Sequence, residues 1–192
     1  MIIAVLDACV IYPPALRDIL MWQVVVGTYE PRWSEEIHSE WMRNVLKNRP
    51  DVSAQQLERT RRLMDQIHPK CLVSGYENRI PELELPDEND RHVLSVAIQT
   101  GATVIVTFNL ADFPRSILLP FGIRAMSPDV FMEGIFKTNP LLFLSGIRRH
   151  RASLKNPPKS PEAYIESLRT HDLKRTAKFL EFHIENIVGA QK

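Results

Sequence analysis

The sequence predicts an α/β fold: a three-layer α/β/α domain built on a parallel sheet, with a helical C-terminal extension. Two continuous apolar runs, residues 2–6 and 103–107, have the composition of strands that are buried on both faces of a parallel sheet. Segments with helical spacing alternate with these runs, as in sheets that are covered by helices. Beyond Lys137 only helical patterns occur, and we predict one domain at residues 1–136 and a basic helical extension at residues 137–192.

The composition is that of an ordinary soluble protein. The 192 residues are 44% hydrophobic and 24% charged. No apolar run approaches the ~18 residues of a membrane-spanning helix, and the N-terminus lacks the basic start and cleavage site of a signal peptide. Two cysteines, Cys9 and Cys71, are too few for a disulfide framework or a thiolate metal site. We therefore expect a cytoplasmic protein with reduced cysteines and no membrane association.

The first buried strand is followed directly by an acidic residue, Asp7. Ligands of open α/β sheets bind at the carboxyl ends of the strands, so Asp7 is a candidate site residue. The alternative is that Asp7 caps the next helix. Pro13 and Pro14 argue against this, because they place the helix start further on, in a helix over about 15–26. Residues 31–33 are predicted to form a connection.

The next helix is predicted to begin at Ser34, which has the character of an N-cap. Its apolar stripe consists of Ile37, Trp41 and Val45. Glu40 and Asn44 lie beside that stripe rather than opposite it. Glu40 is too far from the helix start for a capping role, so it is a candidate ligand; a solvated glutamate at the rim of the core is the alternative.

An acidic turn, residues 82–90, leads into a helix whose dense apolar residues predict burial. Asp87 has the position of an N-cap, with Asp90 three residues later as its capping-box partner. Asp90, however, lies on the same helical face as Val93 and Ala97. This placement turns Asp90 toward the core side and favours a role as a ligand.

The second buried strand ends in the polar turn Thr107-Phe108-Asn109, with Asp112 three residues later. Since the carboxyl ends of parallel strands meet at one edge of a sheet, this turn and Asp7 can converge. Carboxylates brought together repel one another unless a cation neutralises them. A set of oxygen ligands without paired Cys or His favours Mg²⁺ or Mn²⁺ over Zn²⁺. Such an ion can activate water for phosphodiester hydrolysis.

The C-terminal region is basic and helical. Between residues 137 and 178 there are ten lysines and arginines and three acidic residues. One helix is predicted over 140–154, a linker over 156–159, and a single long helix from Ser160 onward. This charge distribution suits contact with a polyanion, and a solvated helical face is the alternative.

Taken together, these motifs resemble those of PIN-domain ribonucleases, and most closely the VapC-type toxins of bacterial toxin–antitoxin pairs. The resemblance spans residues 1–136 and rests on Asp7, Glu40, Asp90 and the Thr107-Phe108-Asn109 turn, in the order of the family. It implies an endoribonuclease that depends on Mg²⁺ or Mn²⁺, cleaves tRNA or rRNA, and blocks translation. It also implies a cognate antitoxin and a homodimer. The catalytic and metal-binding residues are then Asp7, Glu40, Asp90 and Asp112, supported by Asn109, Thr107, Asn44 and Asp87.

The sequence departs from the family pattern in the fourth motif. Many members have Thr-x-Asp, whereas this chain has Asn109 at the third position, and Asp112 is available to supply the missing charge. Which of the two residues approaches the metal stays open. A catalytically degenerate PIN domain that binds RNA or a protein is the alternative function. In the extension, Arg148, Arg149 and Arg151 are candidates for contacts with RNA phosphates, although a surface cluster of no specific purpose has the same pattern.

Overall fold

The computed structural model describes residues 1–188 of the chain. Five strands are present: β1 (Ile2–Leu6), β2 (Tyr29–Ser34), β3 (Leu72–Val73), β4 (Val104–Val106) and β5 (Arg124–Met126). The helices of the first two thirds are α1 (Ala8–Ile11), α2 (Pro14–Val25), α3 (Glu35–Asn48), α4 (Ala54–Asp65), α5 (Arg91–Thr100) and α6 (Arg115–Leu118). They are followed by α7 (Pro128–Thr138), α8 (Pro140–Ser153), α9 (Pro161–Arg169), α10 (Lys174–Glu181) and α11 (Ile184–Ile187).

All five strands form one parallel sheet with the order β3-β2-β1-β4-β5. The chain passes from β1 outward to β2 on one side and returns to β4 on the other side. The order therefore reverses between β1 and β4, which is where open α/β sheets bind ligands. In this register Leu6 lies opposite Val106, so the residues that follow the two strands emerge side by side. The predicted α/β class with a parallel sheet and C-terminal helices is confirmed.

The described residues divide into two compact units. The first unit contains residues 1–14 and 29–127, with the whole sheet. The second unit contains residues 15–28 and 128–188, with α2 and the helices from α7 onward. The division into a nuclease domain at 1–136 and an extension at 137–192 concerns function and stays a prediction; its last residues, 189–192, lie outside the described part. No helix within 1–188 is long and apolar enough to cross a membrane.

The elements beside the sheet follow from local signals. The side chain of Ser34 accepts a hydrogen bond from Ile37 N and caps α3 as expected. Helix α5 is buried along most of its length and ends at Gly101, which has a φ of +64°. This left-handed conformation is the usual end of a helix and favours glycine.

The second unit is held by polar contacts between its helices. The Gln23 amide of α2 is fully buried and donates to the carbonyl oxygen of Phe143 in α8, at 3.2 Å. At Gly146 the two helices come so close that a Cβ atom would lie 2.6 Å from Gln23 Nε2. Only glycine fits at this position without displacing Gln23.

The prediction of a connection at residues 31–33 was wrong, because these residues lie in strand β2. The segment contains Pro31 and charged residues, which obscure a strand pattern. In the structure, neither Pro31 nor the charged Arg32 disrupts the strand. Strand β3 pairs only with Trp33 and Ser34, so Pro31 lies beyond that ladder. Arg32 is buried, but it donates to the Glu30 carboxylate at 2.7 Å and to the carbonyl oxygen of Pro31 at 2.8 Å.

Two helix predictions also need correction. The single long C-terminal helix is in fact three shorter ones, α9, α10 and α11. The first break contains Asp172, whose φ of +58° is incompatible with a right-handed helix. Near the N-terminus, α1 begins directly after Asp7, so Pro13 and Pro14 do not delay the first helix. They follow α1 and precede α2 instead.

Candidate active site

Asp7 and Thr107 lie side by side at the carboxyl ends of β1 and β4. Asp7 is only 4% exposed and occupies the N-cap position of α1, although its side chain makes no capping hydrogen bond. Instead, Thr107 Oγ1 donates to Asp7 Oδ2 at 2.6 Å. The backbone N–H of Asn109 donates to the same Thr107 oxygen at 2.9 Å. Thr107 thus fixes both the carboxylate and the turn that carries Asn109.

Cys9 completes this network. Its Sγ donates to Asp7 Oδ2 at 3.1 Å and accepts a hydrogen bond from Phe108 N at 3.3 Å. Burial, together with the charge of Asp7, raises the pKa of the Cys9 thiol to about 12. The thiol therefore stays protonated and acts as a donor to Asp7 rather than as a nucleophile. With two donors on Oδ2, no described residue donates to Asp7 Oδ1.

Asp90 is the carboxylate of the site with the least favourable electrostatic environment. It lies at the start of α5 and makes no capping hydrogen bond, and its Oδ2 is buried without any hydrogen-bond partner in residues 1–188. Burial and the neighbouring carboxylates of Asp7, Asp87 and Asp112 raise the pKa of Asp90 to about 7. A carboxyl group under such repulsion is typical of a site that awaits a cation or a proton.

Glu40 projects from α3 and contacts a histidine that follows Asp90 by two residues. Its Oε1 lies 3.2 Å from His92 Nε2, and Glu36 Oε2 lies 3.8 Å from His92 Nδ1. His92 is buried. Burial alone would lower the pKa of His92, but the hydrogen bond and charge of Glu40, with Glu36 and Asp7, raise it overall. The imidazolium form, which this shift favours, balances part of the negative charge of the site.

The remaining predicted residues occupy different places. Asn44 and Asn109 are exposed and line an open cleft of about 430 Å³. Asp112 is half-buried and adds to the charge that acts on Asp90. Asp87 caps a 3₁₀ turn, since its Oδ1 accepts from Asn89 N at 2.9 Å; it is a cap as predicted, but Asp90 is not its capping-box partner. The cleft is lined by Asp7, Ala8, Cys9, Tyr12, Glu40, Arg43, Asn44, Asn48, Asp90 and Asn109.

The donor set of this cleft suits a hard divalent cation, because its side chains offer carboxylate and amide oxygens. The unpaired Oδ2 of Asp90 is a buried acceptor that a cation would satisfy. Among residues 1–188, no three His, Cys, Asp or Glu side chains are grouped closely enough to hold a metal ion. A bound cation would therefore have to draw the carboxylates closer together.

The three arginines singled out in the extension differ in the structure. Arg148 and Arg149 are exposed on α8. Arg151 is half-buried and donates to two carbonyl oxygens of the second unit, those of Ile187 at 2.9 Å and Lys159 at 2.8 Å. Arg151 is thus committed to holding the C-terminal helices, whereas the other two guanidinium groups face solvent.

Sequence reasoning did not find several residues of the cleft. His92 contacts Glu40 across 52 positions of the chain, and no local pattern signals such a pairing. Cys9 follows Asp7 by only two residues, but nothing in the local sequence indicates that its thiol donates to the carboxylate. Arg43 and Asn48 were detectable in principle. They follow Glu40 by three and eight residues, a spacing that keeps them on one side of α3.

Comparisons with known proteins agree with this architecture. A family model described as "PIN domain" matches residues 4–111, and one described as "VapC50 C-terminal domain" matches residues 128–181. The chain is similar to a Mycobacterium tuberculosis (strain ATCC 25618 / H37Rv) protein named "Putative ribonuclease VapC50", with 51% identity over 43 residues. That match covers 22% of this chain and 25% of the relative, so the chain spans about a quarter of the relative's length. No solved structure matches the chain.

Proposed function

The chain belongs to the PIN domain family, and from this premise we propose that it is an endoribonuclease that depends on Mg²⁺ or Mn²⁺. The observation that carries the proposal is the buried, unpaired Oδ2 of Asp90 beside the hydrogen-bonded carboxylate of Asp7. Such a carboxylate is costly to the folded chain unless a ligand satisfies it. Its place at the reversal point of the sheet is where this fold class binds ligands.

The residues proposed to hold the cation and to catalyse cleavage are Asp7, Asp90, Asp112 and Glu40. A divalent cation bound there supplies an activated water and neutralises charge on the phosphate. Asp7 is pre-positioned, because Thr107 and Cys9 occupy its Oδ2. Asp90 has a pKa near neutrality and can therefore hold or release a proton in the working pH range.

Among the supporting residues, Thr107, Asn109 and Asp87 are proposed to act on the carboxylates of the site rather than on RNA directly. Thr107 joins Asp7 to the Asn109 backbone, so the Asn109 side chain stands at the cleft. Its amide oxygen is a neutral ligand or orients water, and Asp112 supplies charge beside it. Asn44 extends the polar wall of α3, and Asp87 holds the turn that precedes Asp90.

His92 is proposed to hold the Glu40 side chain in place. The raised pKa of His92 favours its imidazolium form, whose positive charge between Glu36 and Glu40 reduces the repulsion between the two carboxylates. If Glu40 held a cation, Glu36 would still be available as a partner for His92. The contact between His92 and Glu40 therefore supplies positive charge at the position where we propose that a cation binds.

The biological setting is proposed from the family. We infer a cytoplasmic toxin of a toxin–antitoxin pair that cleaves tRNA or rRNA and thereby blocks translation. Its partners would be the RNA, a cognate antitoxin and a second copy of the chain in a homodimer. Within the extension, the exposed Arg148 and Arg149 are the better candidates for RNA phosphates, because Arg151 donates to backbone carbonyls.

The test is RNA cleavage by Asp7→Asn and Asp90→Asn in Mg²⁺ or Mn²⁺, with Asp51→Asn as the matched control. Asp51 is exposed and pairs with Arg49 on the surface. We expect both site variants to lose at least about 100-fold in rate, since each removes a charge from a preorganised site. The control should cut normally. Cleavage at the wild-type rate by both site variants would refute the assignment.

A non-cutting PIN domain that binds RNA is the second candidate. It is favoured by the neutral Asn109 in the fourth motif and by the lack of a three-residue acidic group within residues 1–188. This candidate predicts that the wild-type protein binds RNA without divalent ions and leaves it intact in Mg²⁺ and Mn²⁺. Metal-dependent cleavage that requires Asp90 would exclude it.

A further inference from the structure

The wall of the cleft that α3 forms carries donors as well as the acidic Glu40. Glu40, Asn44 and Asn48 are four residues apart, so they succeed one another at about 6 Å along one side of the helix. Arg43 is next to Asn44 in the chain, and Tyr12 lines the same cleft beside Asn48. The acidic end of the cleft thus continues into a polar end with a positive charge.

Arg43 is the one cationic side chain among the ten residues that line the cleft. It is exposed and makes no ion pair with any residue in 1–188, although three carboxylates line the same cleft. Other arginines of this region do pair: Arg49 with Asp51 and Arg62 with Glu58. An unpaired guanidinium beside an acidic site is available for an anion from outside, and its planar fork suits a phosphate.

The residues around Arg43 offer groups that both donate and accept. Asn48 Nδ2 donates to Tyr12 Oη at 3.4 Å, which leaves the phenolic hydrogen free to donate and the Asn48 carbonyl free to accept. The Asn44 side chain makes no hydrogen bond with other residues in 1–188, and it is exposed. Amides and phenols of this kind recognise ribose hydroxyls and base edges in single-stranded RNA.

We propose that Arg43 binds a backbone phosphate of a single-stranded RNA segment that flanks the scissile phosphate, with Asn44, Asn48 and Tyr12 contacting the adjoining nucleotide. The inference rests on the proposed ribonuclease function and names the part of the cleft that holds the strand. A fixed cation is needed there, because the carboxylates of Asp7, Glu40 and Asp90 repel a polyanion. Arg43 is a substrate-binding residue in this account and holds no metal.

The test measures RNA binding by the full chain without divalent ions, so that cleavage does not enter the result. A fluorescent single-stranded RNA of about ten nucleotides, within the range of single-strand binding sites, is the probe. Its affinity is measured by anisotropy between about 50 and 200 mM salt. The variants are Arg43→Gln and Arg43→Lys. Arg59→Gln is the matched control, because Arg59 is likewise exposed in the first unit and unpaired within residues 1–188.

We expect Arg43→Gln to weaken binding by about tenfold or more, the usual cost of losing a hydrogen-bonded charge. It should also lower the slope of log affinity against log salt by about 0.7, the contribution of one phosphate contact on a single strand. Arg43→Lys should keep the slope and lose part of the affinity, because its charge remains while the planar fork is lost. Arg59→Gln should change neither quantity.

Equal effects of Arg43→Gln and Arg59→Gln, or no RNA binding by the wild-type chain, would overturn the proposal. The RNA-binding role of Arg43 and the ribonuclease function can be refuted separately. If Arg43 governs RNA binding but no divalent ion supports cleavage, the RNA-binding role stands and the ribonuclease function is wrong. If Asp90→Asn abolishes cleavage while Arg43→Gln binds and cleaves as the wild type does, the ribonuclease stands and this inference is wrong.

Discussion

Two carboxylates near helix starts, Asp90 and Asp129, are both withdrawn from solvent but are treated in opposite ways. Asp129, 9% exposed in the second unit, accepts three hydrogen bonds from the start of α10. Its Oδ1 accepts from Thr176 N and Oγ1 at 2.9 and 2.8 Å, and its Oδ2 accepts from Arg175 N at 2.8 Å. Asp90, in the first unit, has an Oδ2 with no partner in residues 1–188, and the carboxylates of Asp7, Asp87 and Asp112 add to the effect of burial on its pKa.

The difference in hydrogen bonding distinguishes a carboxylate with a structural role, Asp129, from one with a proposed functional role, Asp90. A buried carboxylate with its hydrogen bonds satisfied stabilises the fold, and Asp129 does so by capping a helix from another element. A buried carboxylate without partners destabilises the free protein. The unpaired Asp90 carboxylate therefore lowers the free energy of unfolding, and a bound cation can offset this loss. The Asp129 carboxylate has its hydrogen-bond partners and causes no such loss.

The largest expected effect on stability is at Asp129. Asp129→Ala removes three hydrogen bonds to a charged group and leaves the N-terminus of α10 uncapped, at a cost of about 2–4 kcal/mol. Hydrogen exchange should show lost protection in residues 174–181, while β1 and β4 keep theirs. Asp129→Asn, which retains one acceptor oxygen, should lose less. Unchanged protection of α10 in the alanine variant would contradict the stabilising role of Asp129.

Substitution of Asp90 is expected to change the stability in the opposite direction. Without divalent ions, Asp90→Asn should stabilise the first unit by about 1–2 kcal/mol near neutral pH, after allowing for solvent screening of a half-buried group. Urea unfolding can report this through Trp33 and Trp41 of the first unit, provided that Trp22 of the second unit is replaced by Phe in all proteins. A destabilised Asp90→Asn protein would contradict the account.

The pH dependence of that gain follows from the pKa of Asp90. The folded value of about 7 lies above the ordinary 3.8, so ionisation is harder in the folded state. The ionised carboxylate therefore destabilises the fold above the folded pKa, and the penalty disappears as the pH falls from about 7 toward 4. We expect the advantage of Asp90→Asn to be largest above pH 7 and to vanish near pH 4. An advantage that does not change with pH would show another cause.

A smaller effect distinguishes Asn109 from Asp112 as the fourth ligand. Asp112→Ala removes a full charge that acts on Asp90, so Mn²⁺ affinity should fall by up to about tenfold. Asn109→Ala removes a neutral group that lines the cleft, and a loss of about threefold is expected. Calorimetric titration of Mn²⁺ measures both. Unchanged affinities in both variants would remove the two residues from the site.

The sequence was sufficient for the features that depend on burial and local capping. The apolar runs of β1 and β4 placed Asp7 and Thr107 at neighbouring strand ends, and the structure joins them by a hydrogen bond. Ser34 and Gly101 marked helix ends that the structure contains. These features are set by nearby residues, so one-dimensional patterns reveal them.

Other features depend on contacts that are distant in the chain. Strand β2 was missed because its buried Arg32 is acceptable only with Glu30 beside it. The pairing of Glu40 with His92 joins α3 to α5 across 52 positions, and no spacing rule predicts it. Arg151 resembled its exposed neighbours in sequence, yet its carbonyl partners are eight and 36 residues away. Burial of a charge becomes predictable only when its partner is known.

Urea unfolding of the wild-type chain and of Asp90→Asn, both in the Trp22→Phe background and with and without saturating Mn²⁺, tests whether Asp90 is kept unpaired for a cation. A ligand that binds only the folded state at about 100 times its Kd adds about 2.7 kcal/mol. We predict that Asp90→Asn is the more stable protein without Mn²⁺ and that the wild type is the more stable one with it. Equal stabilisation of both proteins by Mn²⁺, or of neither, would contradict the claim that Asp90 is kept unpaired for a cation.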